Sequence, residues 1–340
     1  LLGLVSFSLS GTTPLQVATT LGKLGVAVRA GGHCALPLHA SLGLVGTSRI
    51  SFGIHNTRDD VDAALTALEI CRRLYANQSN RVRSHYADVA SASARCDCCC
   101  DVSASGSEAA RLYDAASTNG VPLQALAASR GCGDPVSQAN LQPGNVVLDL
   151  GSGGGIDALL ASQLVGPAGH VYGVDMTPEM IDLARANAHE AGVANVEFVE
   201  GSIDALPLPD ASVDVVISNC VINLCDNKTA VFSEACRVLR PGGRIVVSDI
   251  VAFEPYPAEA DEPLRAITGC RNGITPAADY ERMLRSCGFE RARIEPKTIY
   301  TNEVLAEKAH RKGHEGALAA LSGLNVSAAT GSAIVTAVKP

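Results

Sequence analysis

A glycine-rich segment, Asp149–Gly155, is the feature of this 340-residue chain that most constrains its fold. The apolar run Val146–Leu150 predicts a buried β-strand, and Ile156–Leu164 predicts a helix directly after the segment. Glycines at positions 151, 153 and 155 have no side chains, so they allow a ligand to approach the backbone closely. Such a loop between a strand and a helix is typical of the ligand-binding edge of a parallel α/β sheet.

The glycine spacing also separates two classes of ligand. The loop reads G-x-G-x-G, whereas dinucleotide-binding loops read G-x-G-x-x-G. This difference weighs against NAD and favours S-adenosylmethionine. With an acidic strand end and a Pro-Gly-Gly turn downstream, it predicts a class I S-adenosylmethionine-dependent methyltransferase, with a Rossmann-like and mostly parallel sheet. Another doubly wound domain is the alternative.

The segments after the loop alternate between strands and helices. Asp175 ends the second strand, 24 residues beyond Gly151, where a carboxylate can accept hydrogen bonds from ribose hydroxyls; an ordinary helix-entry carboxylate is the alternative. Thr177 caps the following helix, with Pro178 at its first position. The further predicted elements are strands at Val171–Val174, Val196–Val199, Val213–Ile217, Ile245–Val247 and Ala333–Val338, a turn at Pro241–Gly243, and a helix at Tyr280–Cys287.

The cofactor site is predicted at the ends of these strands. Ser202–Asp204 follows the third strand, where an adenine ring would lie. The candidate cofactor-binding residues are Asp149, Gly151, Gly153, Gly155, Asp175, Met176, Ile203, Asp204 and Asn219.

Charge and hydropathy exclude some partners. The net charge is −8 and basic residues form no run, which argues against nucleic acid. No apolar stretch reaches the roughly 20 residues that span a bilayer. The apolar start Leu1–Leu9 lacks an initiator Met, a cationic region and a cleavage site, so we interpret it as a truncated interior segment. We expect a cytoplasmic protein with reduced thiols among its twelve cysteines.

Cys220 stands out among the cysteines because it follows the predicted strand Val213–Ile217. At that edge it would face the cofactor pocket, and a soft sulfur there favours a soft, thiol-seeking substrate. The cluster Cys96–Cys100 lacks paired zinc-ligand spacing, so a flexible thiol arm is at least as good an interpretation as a zinc site. Packing is the expected role of Cys71, Cys225, Cys236 and Cys287.

Several separate motifs over residues 80–340 resemble the arsenite methyltransferases. They are Tyr86, Cys96–Cys100, Gly131–Pro135, Leu148–Gly155, Gly173–Thr177, Ser218–Leu224 and Gly269-Cys270. The resemblance implies that Cys132, Cys220 and Cys270 bind trivalent arsenic. It also implies a further redox thiol within Cys96–Cys100, for which Cys99 is our candidate.

The chemistry that this resemblance implies is consistent with the residues. Soft thiolates hold trivalent arsenic and leave its lone pair free to attack a sulfonium methyl, so no general base is required. The implied substrate is arsenite, as a thiol conjugate, and the implied outcome is arsenic detoxification. Methylation formally oxidises arsenic, so a thiol reductant such as thioredoxin or glutathione is an expected partner.

Residues 1–78 resemble the carboxyl-terminal end of cysteine desulfurases of the class V aminotransferase family. The matching segments are Ala27–Leu38 and Gly46–Phe52; Thr57 then opens a helix with Asp60 three residues on. The resemblance implies that Cys34 would carry the persulfide and that Arg49 would bind the carboxylate of the amino-acid substrate. Because the first 227 residues contain one lysine, Lys23, outside any Ser-His-Lys pattern, we expect no desulfurase activity from this piece alone.

The predicted organisation therefore has four parts: a desulfurase-like fragment at 1–78, a Cys-rich junction at 79–106, the S-adenosylmethionine-binding domain at 107–255, and a C-terminal α+β arsenic-binding region at 256–340. Two other functions remain open. One is a methyltransferase for a small carbon or oxygen nucleophile, which would need a base near the methyl group. The other is a non-enzymatic thiol module that sequesters soft metals or arsenic. A bifunctional desulfurase would need an upstream segment that supplies the lysine.

Overall fold

The computed structural model describes residues 3–9, 14–41, 46–53, 55–94, 112–113, 118, 120–270 and 273–340. The chain divides into two compact units, Leu1–Val82 and Arg83–Pro340. The Cys96–Cys100 cluster, with the candidate redox thiol Cys99, lies outside the described residues. No helix in the described ranges is long and apolar enough to cross a membrane.

The first unit contains a small antiparallel sheet in the order β1-β3-β2. Its elements are β1 (Leu4–Phe7), α1 (Pro14–Lys23), β2 (Arg29–Gly31), α2 (Leu36–Ser41), β3 (Thr47–Ser51) and the beginning of α3 (Arg58–Ala94). From the sequence, Val26–Arg29 is predicted as a strand, and this prediction is wrong in position. Val26 and Val28 pack instead on the cluster around Leu21, and pairing with β3 begins at Arg29.

Helix α3 begins as the sequence predicts. The Thr57 backbone amide donates to Asp60 Oδ2 at 2.7 Å, and the Asp60 amide donates to Thr57 Oγ1 at 3.4 Å. This reciprocal pair satisfies amides that lack partners at a helix start. The helix continues to Ala94, so it includes the first part of the segment predicted as a junction.

The second unit is built on a mostly parallel sheet in the order β10-β11-β8-β7-β4-β5-β6, with β9 paired to β8. Strands β11 and β10 are antiparallel to their neighbours. The predicted Rossmann-like sheet is confirmed. Its strands are β4 (Val146–Leu150), β5 (His170–Asp175), β6 (Val196–Glu200), β7 (Val213–Asn219), β8 (Leu239–Ala252), β9 (Thr275–Pro276), β10 (Glu290–Ile299) and β11 (Thr330–Val338).

Helices cover both faces of this sheet. They are α4 (Leu123–Ala128), α5 (Pro135–Gln138), α6 (Ile156–Val165), α7 (Pro178–Glu190), α8 (Lys228–Val238), α9 (Asp261–Thr268), α10 (Ala277–Ser286), α11 (Asn302–Lys312) and α12 (Glu315–Ala320), with short 3₁₀ turns at Ile222–Leu224 and Ala258–Ala260. Successive residues of β4 pack on opposite sides: Val147 belongs to one core cluster, and Leu148 and Leu150 to another. Burial on both faces explains why this strand reads as a continuous apolar run.

The turn predicted at Pro241–Gly243 is wrong, because these residues lie inside β8. The Gly242 amide donates to Lys339 O at 2.9 Å, and the Lys339 amide donates to Gly243 O at 2.8 Å. These bonds pair the segment with the end of the chain, although Gly242 has φ +79°. Its pairing with β7 is irregular, with a register shift between Val213 and Val215, so the segment is a bulge within a longer strand.

The loop after β4 lies at the point where the strand order reverses. Strand β4 pairs with β5 on one side and with β7 on the other, in parallel on both. In such sheets ligands bind beyond the carboxyl ends of the strands at this crevice. The glycine loop and the residues after β7 therefore meet at the same edge.

Candidate active site

The carboxyl ends of β4 and β7 bring the glycine loop beside Cys220. Leu150 pairs with Ser218, and the Ser218 hydroxyl donates to Leu150 O at 3.2 Å. Gly151 and Cys220 each follow shortly after this pair. The side chain of Val221 lies against Gly151 so closely that a Cβ added at that glycine would overlap it.

The glycine loop has the backbone of a close-approach loop. Gly151, Gly153 and Gly155 have φ values of +69°, +50° and +90°, a region that side chains disfavour. Within the described chain, two buried side-chain atoms at this loop, Ser152 Oγ and Asp149 Oδ2, have no hydrogen-bond partner. Such atoms are uncommon in folded proteins and fit a polar ligand at the loop.

Two carboxylates, those of Asp149 and Asp175, also lie at the sheet edge that carries the glycine loop. Burial, followed by the charges of Asp157 and Asp175, raises the pKa of Asp149 well above its usual range. Asp175 ends β5 and accepts hydrogen bonds from the amides of Gly153 at 3.0 Å and Thr177 at 2.9 Å. Burial raises the pKa of Asp175, and these amide bonds oppose the rise. Asp175 therefore orders the glycine loop directly.

The remaining candidates for cofactor contact follow the second and third strands. Met176 is half-buried directly after Asp175. Ile203 is buried, whereas Asp204 is exposed and accepts a hydrogen bond from the Ser202 hydroxyl. The cofactor roles of these residues stay predictions.

Cys132 and Cys220, which lie 88 residues apart in sequence, form a disulfide with a Cα–Cα distance of 5.9 Å. Cys220 has φ +56°, an uncommon conformation for a residue other than glycine. Its amide donates to Ser248 O at 2.8 Å, so strand β8 holds this backbone in place. The two thiols therefore meet at the edge that carries the glycine loop.

Asn219 fixes the loop that carries Cys132. Its Oδ1 accepts a hydrogen bond from the Cys132 amide at 3.0 Å, and its Nδ2 donates to Gly133 O at 2.7 Å. A Cβ on Gly131 would lie 2.6 Å from Asn219 Nδ2, and one on Gly133 would overlap the Ser248 hydroxyl. The glycines on both sides of Cys132 therefore allow the loop to pack against β7 and β8.

The same asparagine connects this loop to the helix that follows the glycine loop. Asn219 Nδ2 also lies 3.2 Å from Asp157 Oδ2 and 3.0 Å from the Tyr113 hydroxyl, which donates to Asp157 Oδ1 at 2.8 Å. Asp157 is the second residue of α6. Burial raises its pKa to about 7, although the bonds from Tyr113 and Asn219 oppose the rise. The Cys132 loop and the cofactor loop thus share one hydrogen-bond network, in which Tyr113 and Asp157 are buried and Asn219 is half-buried.

Cys270 lies after α9, buried in a cluster on which Cys132 and Cys220 also pack. Asn223 Nδ2 lies 3.8 Å from its sulfur. Burial, with the charge of Asp249 second, raises the pKa of the Cys270 thiol to about 12. The three-sulfur arsenic site stays a prediction. The structure bonds two of its sulfurs to each other and places Cys270 in the cluster on which both of them pack.

A buried carboxylate, Asp249, accompanies the paired thiols. In the described chain, the sulfurs of Cys132 and Cys220 and a carboxylate oxygen of Asp249 all lie within 4.8 Å of one another. Asp249 accepts hydrogen bonds from the Tyr280 hydroxyl at 2.6 Å and from Asn223 Nδ2 at 3.0 Å. Burial raises its pKa to about 6, and the hydrogen bonds counteract the rise.

Comparison with known proteins identifies the family. A family model described as "Methyltransferase domain" matches residues 141–294. The crystal structure of an arsenic(III) S-adenosylmethionine methyltransferase from Chlamydomonas reinhardtii is 32% identical, with a TM-score of 0.53, over 66% of this chain and 72% of that one. This chain belongs to the arsenic(III) S-adenosylmethionine methyltransferase family. The predicted class I methyltransferase fold is confirmed.

Two curated relatives agree with this assignment. An arsenite methyltransferase of Halobacterium salinarum is 46% identical over 230 residues, which are 64% of this chain and 58% of that protein. One from Aquipseudomonas alcaligenes is 41% identical over 188 residues, 52% of this chain and 54% of that protein. This member of the family thus spans less than two thirds of the length of each of these two relatives.

The first unit has a separate relationship. A family model described as "Aminotransferase class-V" matches residues 1–64, which confirms the predicted resemblance. Cys34 is exposed, with φ +61°, and Arg49 lies in the central strand β3. In this arsenic methyltransferase family member, the aminotransferase-like piece therefore precedes the methyltransferase unit in sequence.

Sequence reasoning missed four polar residues of this family member's site: Asp157, Asn223, Asp249 and Tyr280. A signal was present for Asp249, because it interrupts the apolar run of β8 and a buried carboxylate needs partners. Asn223 was part of a recognised motif, but its contacts reach β8 and Cys270. Periodicity cannot give those partners, since they lie more than 25 residues away in sequence.

Proposed function

We propose that this chain methylates trivalent arsenic, with S-adenosylmethionine as the methyl donor, and thereby contributes to arsenic detoxification. The observation that carries the proposal is the pairing of Cys132 and Cys220 beside the glycine loop. Thiolates are the ligands that soft centres prefer. Arsenite, as a thiol conjugate, would exchange its ligands for Cys132, Cys220 and Cys270.

The residues at the glycine loop fit the cofactor. Glycine at position 151 is required by both its positive φ and the contact with Val221. Ser152 Oγ and Asp149 Oδ2 offer buried polar atoms without partners in the described chain, and Asp175 stands at the strand end suited to ribose hydroxyls. S-adenosylmethionine would supply a methyl group on a positively charged sulfur. Residues 107–255 would hold this cofactor, and residues 256–340 would complete the arsenic site.

The protein's contribution to this reaction is positioning. Trivalent arsenic bound by three sulfurs keeps a lone pair, and that nucleophile has no proton to lose. The site therefore needs no general base, in contrast to a carbon or oxygen methyltransferase. The Cys132 amide donates to Asn219 Oδ1 and the Cys220 amide donates to Ser248 O, and these bonds would keep the two ligand loops at a fixed separation.

The disulfide sets a condition on substrate binding. Its two sulfurs must be reduced before either can bind arsenic, so a thiol reductant such as thioredoxin or glutathione would act on Cys132–Cys220. We propose Cys99 as the further redox thiol and the cytoplasm as the compartment. No nucleic-acid or membrane partner is part of the proposal.

The test is arsenic speciation after incubation of the full chain with arsenite, S-adenosylmethionine and a thiol reductant. Wild-type protein should yield methylated arsenicals. Cys220→Ser should lose turnover and retain cofactor binding, whereas Cys71→Ser, buried in the first unit, should retain turnover. Arsenite binding without any methylated product would indicate a thiol-binding module, and undiminished turnover by Cys220→Ser would contradict the assigned ligand.

A further inference from the structure

Asp249 places a buried carboxylate beside the sulfurs of Cys132 and Cys220, and the proposed reaction does not require it as a base or as a ligand. Its side chain is fully buried, and one of its oxygens lies within 4.8 Å of both sulfurs. An arsenic atom bonded to Cys132 and Cys220 would therefore have a buried carboxylate close to it. In a site of low polarity, such a charge acts strongly on any charge that develops nearby.

The hydrogen bonds to Asp249 favour its ionised form against the effect of burial, and they fix its orientation. Oδ1 accepts from the Ile250 amide at 2.8 Å and from Asn223 Nδ2 at 3.0 Å. Oδ2 accepts from the Tyr280 hydroxyl at 2.6 Å and from the Asn223 amide at 3.3 Å. Donors to a carboxylate favour its charged form. Because each oxygen already accepts two hydrogen bonds, the carboxylate is arranged as a fixed negative charge and not as another arsenic ligand.

Asn223 is itself held in one orientation, which makes this arrangement rigid. The Thr275 hydroxyl donates to Asn223 Oδ1 at 2.7 Å, and Asn223 Nδ2 also donates to Ile250 O at 2.7 Å. A group that is oriented before the reaction has no reorganisation to undergo as charge develops. The network therefore gives Asp249 the property that electrostatic catalysis requires.

We propose that Asp249 stabilises the positive charge that arsenic acquires during methyl transfer. The inference rests on the proposed function. Arsenic uses its lone pair to form a bond to the methyl carbon, while the bond from that carbon to the donor sulfur breaks and its electron pair stays on that sulfur. No proton moves. The positive charge leaves the donor sulfur and arrives on arsenic, next to the carboxylate.

Lys228 provides a control, because its charge is opposite in sign to that of Asp249. This half-buried residue begins α8, and burial lowers the pKa of its ammonium group while the Asp249 carboxylate opposes the change. Its positive charge interacts with the Asp249 carboxylate and partly offsets that negative charge. If Asp249 acts through its charge, removal of the Lys228 charge should favour methyl transfer.

The experiment measures a single turnover of the full chain, reduced, loaded with arsenite and then mixed with excess S-adenosylmethionine. Asp249→Asn should slow methyl transfer by about 100- to 1,000-fold, the order seen when one electrostatic contact to a transition state is removed. Its equilibrium affinities for arsenite and for S-adenosylmethionine should stay unchanged. The matched control is Asp182→Asn, whose carboxylate is 79% exposed, and this variant should react like wild type.

Lys228→Met makes the result independent of whether Asp249→Asn folds. A faster methyl transfer in Lys228→Met supports the proposal, because structural damage would slow both variants. An unchanged or slower rate in Lys228→Met, an unchanged rate in Asp249→Asn, or a loss confined to arsenite affinity would overturn it. Failure of the wild-type protein to form any methylated arsenical is a different outcome, which would reject the proposed function.

Discussion

Asn219 Oδ1 accepts a hydrogen bond from the backbone amide of Cys132 at 3.0 Å, across 87 residues of sequence. The amide nitrogen of the same side chain donates to Gly133 O at 2.7 Å. One side chain thus binds the Cys132 loop through two backbone groups. Because Asn219 directly precedes Cys220, it also sets the distance between the two thiol-bearing segments.

Asn219→Ala should therefore weaken arsenite binding by about 10- to 100-fold, since it removes two hydrogen bonds to the half-buried Cys132 loop, each worth about 0.5–1.5 kcal/mol. Equilibrium titration of the reduced protein with arsenite measures this loss. Asn219 is also a predicted cofactor contact, so S-adenosylmethionine affinity is measured on the same variant. Retained arsenite affinity with reduced cofactor affinity would assign Asn219 to the cofactor and contradict the positioning role.

The sequence predicted the sheet well because its strands carry their own signal. Val146–Leu150 is apolar at every position but Asp149, as a strand buried on both faces must be, and its predicted bounds match the observed strand. The predicted ends of strands were wrong where tertiary contacts decide where a strand begins. The apolar residues Val26 and Val28 pack in a core cluster and leave the pairing with β3 to Arg29–Gly31.

Fewer features of the candidate active site could be predicted from the sequence. Cys220 could be identified from its residue type and its position after a predicted strand. Its bonded partner Cys132 was suggested by family resemblance alone, because no local pattern links residues that are 88 positions apart. Asp249 contacts Tyr280, 31 residues away, through side chains. Such networks depend on how helices pack on the sheet, which neither periodicity nor spacing encodes.

Gly151 and Gly153 differ in how closely other atoms approach their backbone, and this difference can be tested at the cofactor loop. Both have positive φ, but a Cβ at Gly151 would overlap Val221, whereas one at Gly153 has nothing within 4 Å. Gly151→Ala should therefore reduce S-adenosylmethionine affinity by about tenfold more than Gly153→Ala, since overpacking costs about 1–3 kcal/mol. Equilibrium binding measures both variants.

A second substitution checks the cause. Adding Val221→Ala to Gly151→Ala removes the overlapping side chain and should recover part of the lost affinity, because only the backbone strain of the positive φ then remains. Equal losses in Gly151→Ala and Gly153→Ala, with no recovery in the double variant, would show that the contact with Val221 is unimportant for the cofactor.

Asp157 couples the stability of the fold to pH. Burial raises its pKa to about 7 in the folded protein, from an ordinary value of 3.8. Between these two values the folded chain holds a proton that the unfolded chain has released. Stability from this group is therefore fully present below about pH 4 and is lost as pH rises to about 7, with a slope of at most about 1.4 kcal/mol per pH unit.

Asp157→Asn should make this decline shallower, because the amide is neutral at every pH and can still contact Asn219 and Tyr113. The free energy of unfolding of the full chain, measured by circular dichroism in denaturant at several values between about pH 4 and pH 8, gives the profile. Asp182→Asn, which removes an exposed carboxylate, should leave the wild-type profile unchanged. If the Asp157→Asn profile ran parallel to that of the wild type throughout, Asp157 would titrate alike in the folded and unfolded chains, and its burial would not be a source of pH-dependent stability.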